Sequence, residues 1–146
     1  MRSEQDTVVD ASFIVPIMAE AMGPVSRTAI ARETVRTSAG LVAPAILLFE
    51  LLNSIRNGMR AGVLTAAQSQ VALAGMFDLG IHLEPAPDLS VAIRISELAA
   101  AHGLTAYDAS YLELAIRTKS PLATFDAALI RAAQSEGVPI LSHGVN

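Results

Sequence analysis

The sequence predicts a three-layer α/β/α domain built on a parallel sheet of five strands. Short apolar β-type runs alternate along the chain with longer helical segments, which is typical of a parallel sheet covered by helices on both faces. The composition agrees, because 52% of the 146 residues are apolar and only 16% are charged. No internal repeat, low-complexity tract or Ser/Gly linker divides the sequence, so one domain over residues 1–146 is expected.

The predicted strands are short and rich in aliphatic and β-branched residues. In chain order they are residues 7–9, 41–43, 81–83, 121–124 and 138–141. Ligands of open parallel sheets bind beyond the carboxyl ends of the strands, where the strand order switches. Residues that directly follow a strand are therefore the first candidates for a functional site.

The predicted helices are delimited by proline, glycine and capping residues. They cover residues 12–22, 25–37, 44–59, 65–79, 88–102, 105–118 and 126–136. Pro16 and Pro44 are expected in the first turns of their helices, and Gly103 at a left-handed C-cap. Thr105, with Asp108 three residues later, fits the acidic variant of a capping box. Helix 25–37 is expected to expose a charged face that includes Arg27 and Arg32.

Composition excludes several classes of protein. The chain has no cysteine, which rules out a disulfide framework, a thiolate metal site and a cysteine nucleophile. Its densest apolar stretch, residues 41–52, is interrupted by Pro44 and Glu50 and falls short of the roughly 18 apolar residues that a membrane helix needs. The first residues, MRSEQDT, do not resemble a secretory signal, so the cytoplasm is the expected compartment.

The charge balance is slightly acidic. Ten basic and fourteen acidic residues give a net charge of −4, which argues against a nucleic-acid binder with a broad basic face. Ten of the acids, Glu113 among them, are expected at solvated ends, caps or polar faces. The remaining four occupy positions that solvation does not explain as easily, and their location matters more than the average charge.

Two of these four acids follow predicted strands. Asp10 comes directly after the first strand and Asp126 directly after the fourth, so both side chains are expected at the carboxyl edge of the sheet. N-capping of the following helix is the alternative explanation for either residue.

The other two acids lie in predicted helices. Glu50 sits in the apolar segment PAILLFELLNSI, where a buried carboxylate needs a partner, a proton or a cation; an exposed stripe is the alternative. Asp108 lies in the first turn of TAYDASYLELA, where a capping or helix-dipole role is the alternative.

As a set, these acids point to a metal site. The only lysine, Lys119, lies at the far end of the Asp108 helix, and clustered carboxylates raise one another's pKa values. A hard divalent cation with oxygen ligands, such as Mg²⁺, relieves that repulsion. One or two such ions can activate water and stabilise the charge that develops on a phosphodiester. The set therefore predicts metal-dependent phosphodiester hydrolysis.

Other catalytic motifs are absent from the sequence. It contains no nucleophile elbow, zinc-protease motif, phosphate-binding loop or dinucleotide fingerprint. Tyr107 and Tyr111, four residues apart, are expected to anchor helix packing, and Tyr107 could alternatively stack on a base. Five basic residues are candidates for positioning phosphate or are simply solvated charges: Arg56, Arg60, Arg94, Arg117 and Lys119.

The segments VVDAS, ELLN, TAYDASYLELA and LATFDAALIRAAQSEGVPIL resemble the PIN domain, and specifically the VapC toxins of type II toxin–antitoxin systems. The resemblance covers essentially the whole chain, with the motifs in the family's order and spacing. It implies a PIN-like fold with a five-stranded parallel sheet and a Mg²⁺- or Mn²⁺-dependent endoribonuclease activity.

By motif match, the acidic quartet of that family corresponds to Asp10, Glu50, Asp108 and Asp126. The resemblance implies that Asp10 and Asp108 are the most direct metal ligands and that Asp126 binds the same ion or a second one. It implies that Glu50 holds a water or a second metal.

The resemblance also implies supporting residues and partners. Ser12 and Thr124 match hydroxyl positions that support such a site, and Asn53 matches a supporting amide. Members of the family usually form homodimers and are inhibited by a small cognate antitoxin. RNA, an antitoxin protein and a second copy of the chain are therefore the expected partners, and a membrane is not.

Two other functions share part of this pattern. A receiver-like signalling module also clusters acids beside a threonine, but it needs a lysine directly after the last strand, where this sequence has none. A PIN-like protein that binds without turnover is disfavoured because all four acids are present. If a divalent metal offsets those four acids, the ten remaining acids equal the ten basic residues, so the charge balance does not oppose RNA binding.

Overall fold

The structure is a computed structural model that describes residues 5–141. Its strands are β1 (Thr7–Val9), β2 (Leu41–Pro44), β3 (His82–Glu84) and β4 (Leu122–Ala123). Its α-helices are α1 (Ala11–Met18), α2 (Val25–Thr37), α3 (Ile46–Arg60), α4 (Ala66–Asp78), α5 (Leu89–His102), α6 (Ala106–Thr118) and α7 (Ala127–Ser135). A short 3₁₀ turn, Glu20–Met22, follows α1. Within residues 5–141, no helix combines the length and the apolar character needed to span a bilayer.

The strands form a parallel sheet in the order β3-β2-β1-β4, which confirms the predicted α/β class. Successive side chains of a strand point to opposite faces, and both Val8 and Val9 are fully buried. Helices therefore cover the central strand on both sides, with α6 packed against β1 and β2. The chain runs outward from β1 to β3 and then returns to the other side of β1. The strand order thus switches between β1 and β4, where an open parallel sheet places its ligand crevice.

The prediction of five strands is wrong, because the sheet formed by residues 5–141 has four. The predicted fifth strand, residues 138–141, forms only an isolated parallel bridge between Ile140 and Leu122. Backbone hydrogen bonds do run from Leu122 to Pro139 and from Leu141 to Leu122. The neighbouring β4 is only two residues long, and Pro139 has no N–H to donate, so the pairing does not extend into a ladder.

Proline positions also differ from the prediction. Pro16 lies inside α1 rather than in its first turn, where its missing N–H removes one hydrogen bond of the helix interior, and the helix ends two residues later at Met18. Pro44 closes β2 instead of opening the next helix. The predicted caps at Thr105 and Gly103 are confirmed: the Thr105 side chain accepts from the Asp108 N–H, and Gly103 has a φ of 63°.

Candidate active site

Asp10 is buried at the carboxyl end of β1, with 5% of its surface exposed. One oxygen, Oδ1, accepts hydrogen bonds from the Phe13 N–H at 3.1 Å and the Ser12 hydroxyl at 2.7 Å. The other, Oδ2, accepts from the Thr124 hydroxyl at 2.5 Å. Asp10 therefore does cap α1, as the simpler alternative proposed. That role accounts for only one of its three hydrogen bonds.

Burial raises the pKa of Asp10 to about 6, although the hydrogen bonds from Thr124, Ser12 and Phe13 act in the opposite direction. The negative charge of Glu50 raises the pKa of Asp10 further. Hydrogen bonds from hydroxyl and amide groups stabilise this carboxylate but do not neutralise its charge. The ionised form of Asp10 therefore carries an unpaired charge in the interior.

Two hydroxyl groups tie Asp10 to the segment that follows β4. The Ser12 Oγ accepts from the Phe125 N–H at 2.9 Å, and the Thr124 Oγ1 accepts from the Asp126 N–H at 3.0 Å. Each hydroxyl thus donates to Asp10 and accepts from the backbone of the β4–α7 connection. These bridges hold the ends of β1 and β4 together, so Asp10 and Asp126 lie at the same edge of the sheet.

Glu50 lies half-buried on α3 and accepts a hydrogen bond at its Oε1 from the Tyr111 hydroxyl, at 2.5 Å. Burial raises the pKa of Glu50; the bond from Tyr111 opposes this shift, and the charge of Asp108 adds to it. Tyr111 is itself buried, with 1% of its surface exposed. The sequence assigned Tyr111 to helix packing alone. Its position three residues after Asp108, on the same face of the helix, was the signal that it reaches the site.

Asp108 and Asp126 complete the set. The Asp108 N–H donates to the Thr105 hydroxyl at 3.1 Å, and the Asp126 Oδ1 accepts from the Leu129 N–H at 2.8 Å and so caps α7. Burial raises the pKa of Asp108, the charge of Asp126 raises it further, and a hydrogen bond with Thr105 opposes both.

The four carboxylates form one electrostatically linked series. The charge of Glu50 raises the pKa of Asp10, and the charge of Asp108 raises the pKa of Glu50. The charge of Asp126 in turn raises the pKa of Asp108. None of the four forms an ion pair with the basic residues of the described chain. Across residues 5–141, no three acidic or histidine side chains converge into a ready coordination sphere for a metal ion. The carboxylates are thus close enough to repel one another but are not arranged as a preformed metal cage.

The remaining candidates lie apart from this series. Asn53 is exposed and makes no hydrogen bond with the four acids among the described residues. Arg56, Arg60 and Lys119 are exposed as well. Their exposure agrees with the alternative that they are solvated surface charges.

Arg94 and Arg117 contact an acid that the sequence placed in solvent. Glu113 is buried, with 2% of its surface exposed, so its predicted solvated position is wrong. The Arg117 Nε donates to the Glu113 Oε1 at 2.9 Å, and the Arg94 guanidinium lies 3.4 Å from the same oxygen. Arg117 also lies 4.0 Å from Glu84. Both arginines are partly exposed and pair with this buried glutamate.

Comparison with known proteins agrees with this geometry. Among solved structures, the chain is similar to the crystal structure of PAE2754 from Pyrobaculum aerophilum, with a TM-score of 0.66 and 20% sequence identity over 93% of this chain and 83% of that one. At that identity, the similarity shows the fold. No curated protein matches the chain significantly. The family model for the PIN domain matches residues 7–135, a span that includes all four carboxylates. As the sequence motifs predicted, the chain belongs to the PIN-domain family.

Proposed function

We propose that this protein is a Mg²⁺- or Mn²⁺-dependent endoribonuclease that acts as the toxin of a toxin–antitoxin pair. PIN domains are generally nucleases. The observation that carries the proposal is Asp10: a buried carboxylate with a pKa raised to about 6, linked electrostatically to three other acids and balanced by no basic residue of the described chain. Ionisable groups perturbed in this way concentrate at functional sites.

The chemistry of the donors fits a hard divalent cation. All four groups are carboxylates, and oxygen ligands with unbalanced negative charge are what Mg²⁺ and Mn²⁺ prefer. Asp10, Asp108 and Asp126 would hold the ion, and Glu50 would hold water or a second ion. When bound, such an ion lowers the pKa of water and stabilises the charge on the phosphate during displacement.

The chain's own residues orient and tune these groups. Ser12 and Thr124 fix both oxygens of Asp10, and Tyr111 fixes Oε1 of Glu50. The second oxygen of Glu50 has no hydrogen-bond partner within residues 5–141, and in this proposal it accepts a proton from the attacking water. Its raised pKa makes Glu50 a stronger base than an ordinary glutamate.

The partners belong to the same proposal. An antitoxin protein and a second copy of the chain both require apolar contact surface. Several large apolar side chains are exposed, among them Phe49, Val71, Phe77, Leu89 and Tyr107. A toxin that cleaves cellular RNA acts in the cytoplasm. Light scattering of the purified chain, with and without the product of the neighbouring gene, measures both associations.

The test compares cleavage of total cellular RNA, in Mg²⁺ or Mn²⁺, by the wild type and by Asp10→Asn and Asp108→Asn. Loss of several kcal/mol of transition-state stabilisation predicts a decrease in rate on the order of 1000-fold for each variant. Asp78→Asn, at an exposed position of α4, is the matched control and should cleave normally. Mapping the cleavage sites identifies the class of RNA.

Two results would contradict the proposal. Full cleavage by both variants excludes the carboxylates as the catalytic site. Failure of the antitoxin-free wild type to cleave any RNA with either metal favours a PIN-like binding protein without turnover.

A further inference from the structure

A separate pocket lies next to the candidate active site. A cavity of about 360 Å³ opens between the start of α1, the start of α2 and the middle of α3, at the lower end of the roughly 300–1,000 Å³ that is typical of ligand pockets. Its polar lining comprises Ser12, Arg27, Ser54 and Asn57. Ser12 is shared with the catalytic site, since its hydroxyl donates to Asp10 at 2.7 Å. Ser12 therefore links the pocket to the acidic site.

Arg27 is held at this pocket by aromatic stacking. Its guanidinium carbon lies 5.0 Å from the centroid of the Phe125 ring, and Phe125 in turn stacks on Phe13 at 4.9 Å with an interplanar angle of 23°. Phe125 lies between Thr124 and Asp126 in the chain. Through this stack, the position of Arg27 is fixed relative to two residues of the candidate site.

The donors of Arg27 are not committed to an acid within the described chain. Two other arginines of α2 are paired, Arg32 with Glu20 and Arg36 with Glu33. Arg27 forms no ion pair within residues 5–141. Stacking on a ring engages the face of a guanidinium and leaves its in-plane N–H groups directed outward. These groups match the oxygens of a phosphodiester.

We propose that Arg27 and this pocket form a subsite for the RNA phosphate next to the scissile bond, with Ser54 and Asn57 lining the place of the attached nucleotide. The inference rests on the proposed function. Contacts to phosphate fix the register of a nucleic acid without reading its sequence. Arg27 supplies positive charge against Phe125, the residue between Thr124 and Asp126, and so offsets part of the repulsion between the carboxylates and the substrate.

The test measures RNA binding separately from cleavage. A fluorescein-labelled single-stranded RNA of 16 random nucleotides is titrated, in Mg²⁺ and at several salt concentrations, onto the Asp108→Asn protein, whose altered residue does not line the pocket. The added variants are Arg27→Ala, Arg27→Lys and, as the matched control from the same helix, Arg32→Ala.

Arg27→Ala should weaken binding about tenfold, the typical loss of a charge-assisted hydrogen bond. It should also reduce the slope of log K against log salt by about 0.7, the contribution of one phosphate contact on a single strand. Arg27→Lys should keep the slope and lose part of the affinity. Arg32→Ala should change neither. In the otherwise wild-type protein, Arg27→Ala should raise the KM for cleavage more than it lowers kcat.

Equal affinities and slopes for Arg27→Ala and Arg32→Ala, in a protein that cleaves RNA, would overturn the subsite alone. A reduced slope specific to Arg27→Ala, in a wild type that cleaves no RNA, would support the subsite and contradict the nuclease. An absence of RNA binding by all forms would overturn both.

Discussion

Two carboxylates are buried among residues 5–141, and they are stabilised in opposite ways. Glu113 is 2% exposed and lies against two guanidinium groups, from Arg117 at 2.9 Å and Arg94 at 3.4 Å. Asp10 is 5% exposed and has only hydroxyl and backbone donors around it. The charged group that acts on its pKa is another acid, Glu50.

Burial alone does not mark a carboxylate as functional, since Glu113 and Asp10 are both buried. A buried charge is tolerated when the chain supplies its partner, as it does for Glu113. Asp10 has no basic partner among the described residues, and its burial raises its pKa. The charge of Glu113 is therefore compensated within the chain, whereas Asp10 and the three acids linked to it have no basic partner among the described residues.

The largest expected effect is on stability in the absence of metal. The pKa of Asp10 is raised in the folded state, so folding favours its protonated form. The resulting stability is present below pH 4 and is lost as the pH rises through about 6. Above pH 6 the ionised side chain costs about 3 kcal/mol. In EDTA, Asp10→Asn should therefore be more stable than the wild type at pH 7.5, and this difference should vanish near pH 4.

Urea unfolding across this pH range measures that difference. Asp78→Asn controls for the removal of one negative charge at an exposed position. Adding Mg²⁺ should stabilise the wild type but not Asp10→Asn, because ligands that bind only the folded state stabilise it. A wild type more stable than Asp10→Asn at every pH would contradict the contrast between Asp10 and Glu113.

The next largest effect on stability is expected at Glu113, the buried acid whose charge is compensated. Arg117→Met keeps the aliphatic packing but removes the closer partner of Glu113, leaving Arg94 at 3.4 Å. We expect a loss of about 2 kcal/mol in the free energy of unfolding, with RNA cleavage unchanged wherever the protein is folded. Chemical denaturation measures the loss, with Arg131→Met at an exposed position of α7 as the control. Lost cleavage in a stable Arg117→Met protein would instead place Arg117 at the substrate.

These two regions also show what the sequence can predict. Asp10 and Asp126 were expected at one edge because each follows a strand, and parallel strands place their carboxyl ends together. The ion pair between Glu113 and Arg117 is visible as an i,i+4 spacing. The contribution of Arg94 is not, because it depends on how α5 packs against α6.

The features that the sequence does not predict all depend on contacts between different elements of the fold. No local pattern shows that Arg27 of α2 stacks on Phe125, or that the Tyr111 hydroxyl reaches Glu50 on another helix. Residues 138–141 have the composition of a strand. Whether they pair with β4 depends on the length of β4 and on the missing N–H of Pro139. Long-range packing decides each case, while periodicity and capping describe only single elements.

A smaller effect is expected at the hydroxyl bridge. Thr124→Val conserves shape but removes the donor to Asp10 and the acceptor for the Asp126 N–H. The pKa of Asp10 should rise further, since the Thr124 bond lowers it. Residues that orient metal ligands typically contribute 10- to 100-fold, so a roughly 20-fold loss in Mg²⁺ affinity or cleavage is expected. Isothermal titration with Mg²⁺ measures the affinity, and Thr124→Ser should restore most of it.

The smallest effect is expected at Tyr111→Phe, which removes the only hydrogen bond to the Glu50 carboxylate among the described residues. That bond lowers the pKa of Glu50, so its loss should move the acidic limb of the pH–rate profile to higher pH. Cleavage at the optimum should fall less than about tenfold, the value of one hydrogen bond to a charged group. Tyr107→Phe, on an exposed tyrosine of the same helix, is the matched control. Because a packing defect would lower the rate equally at all pH values, a displaced acidic limb identifies Glu50 as the group that must be ionised.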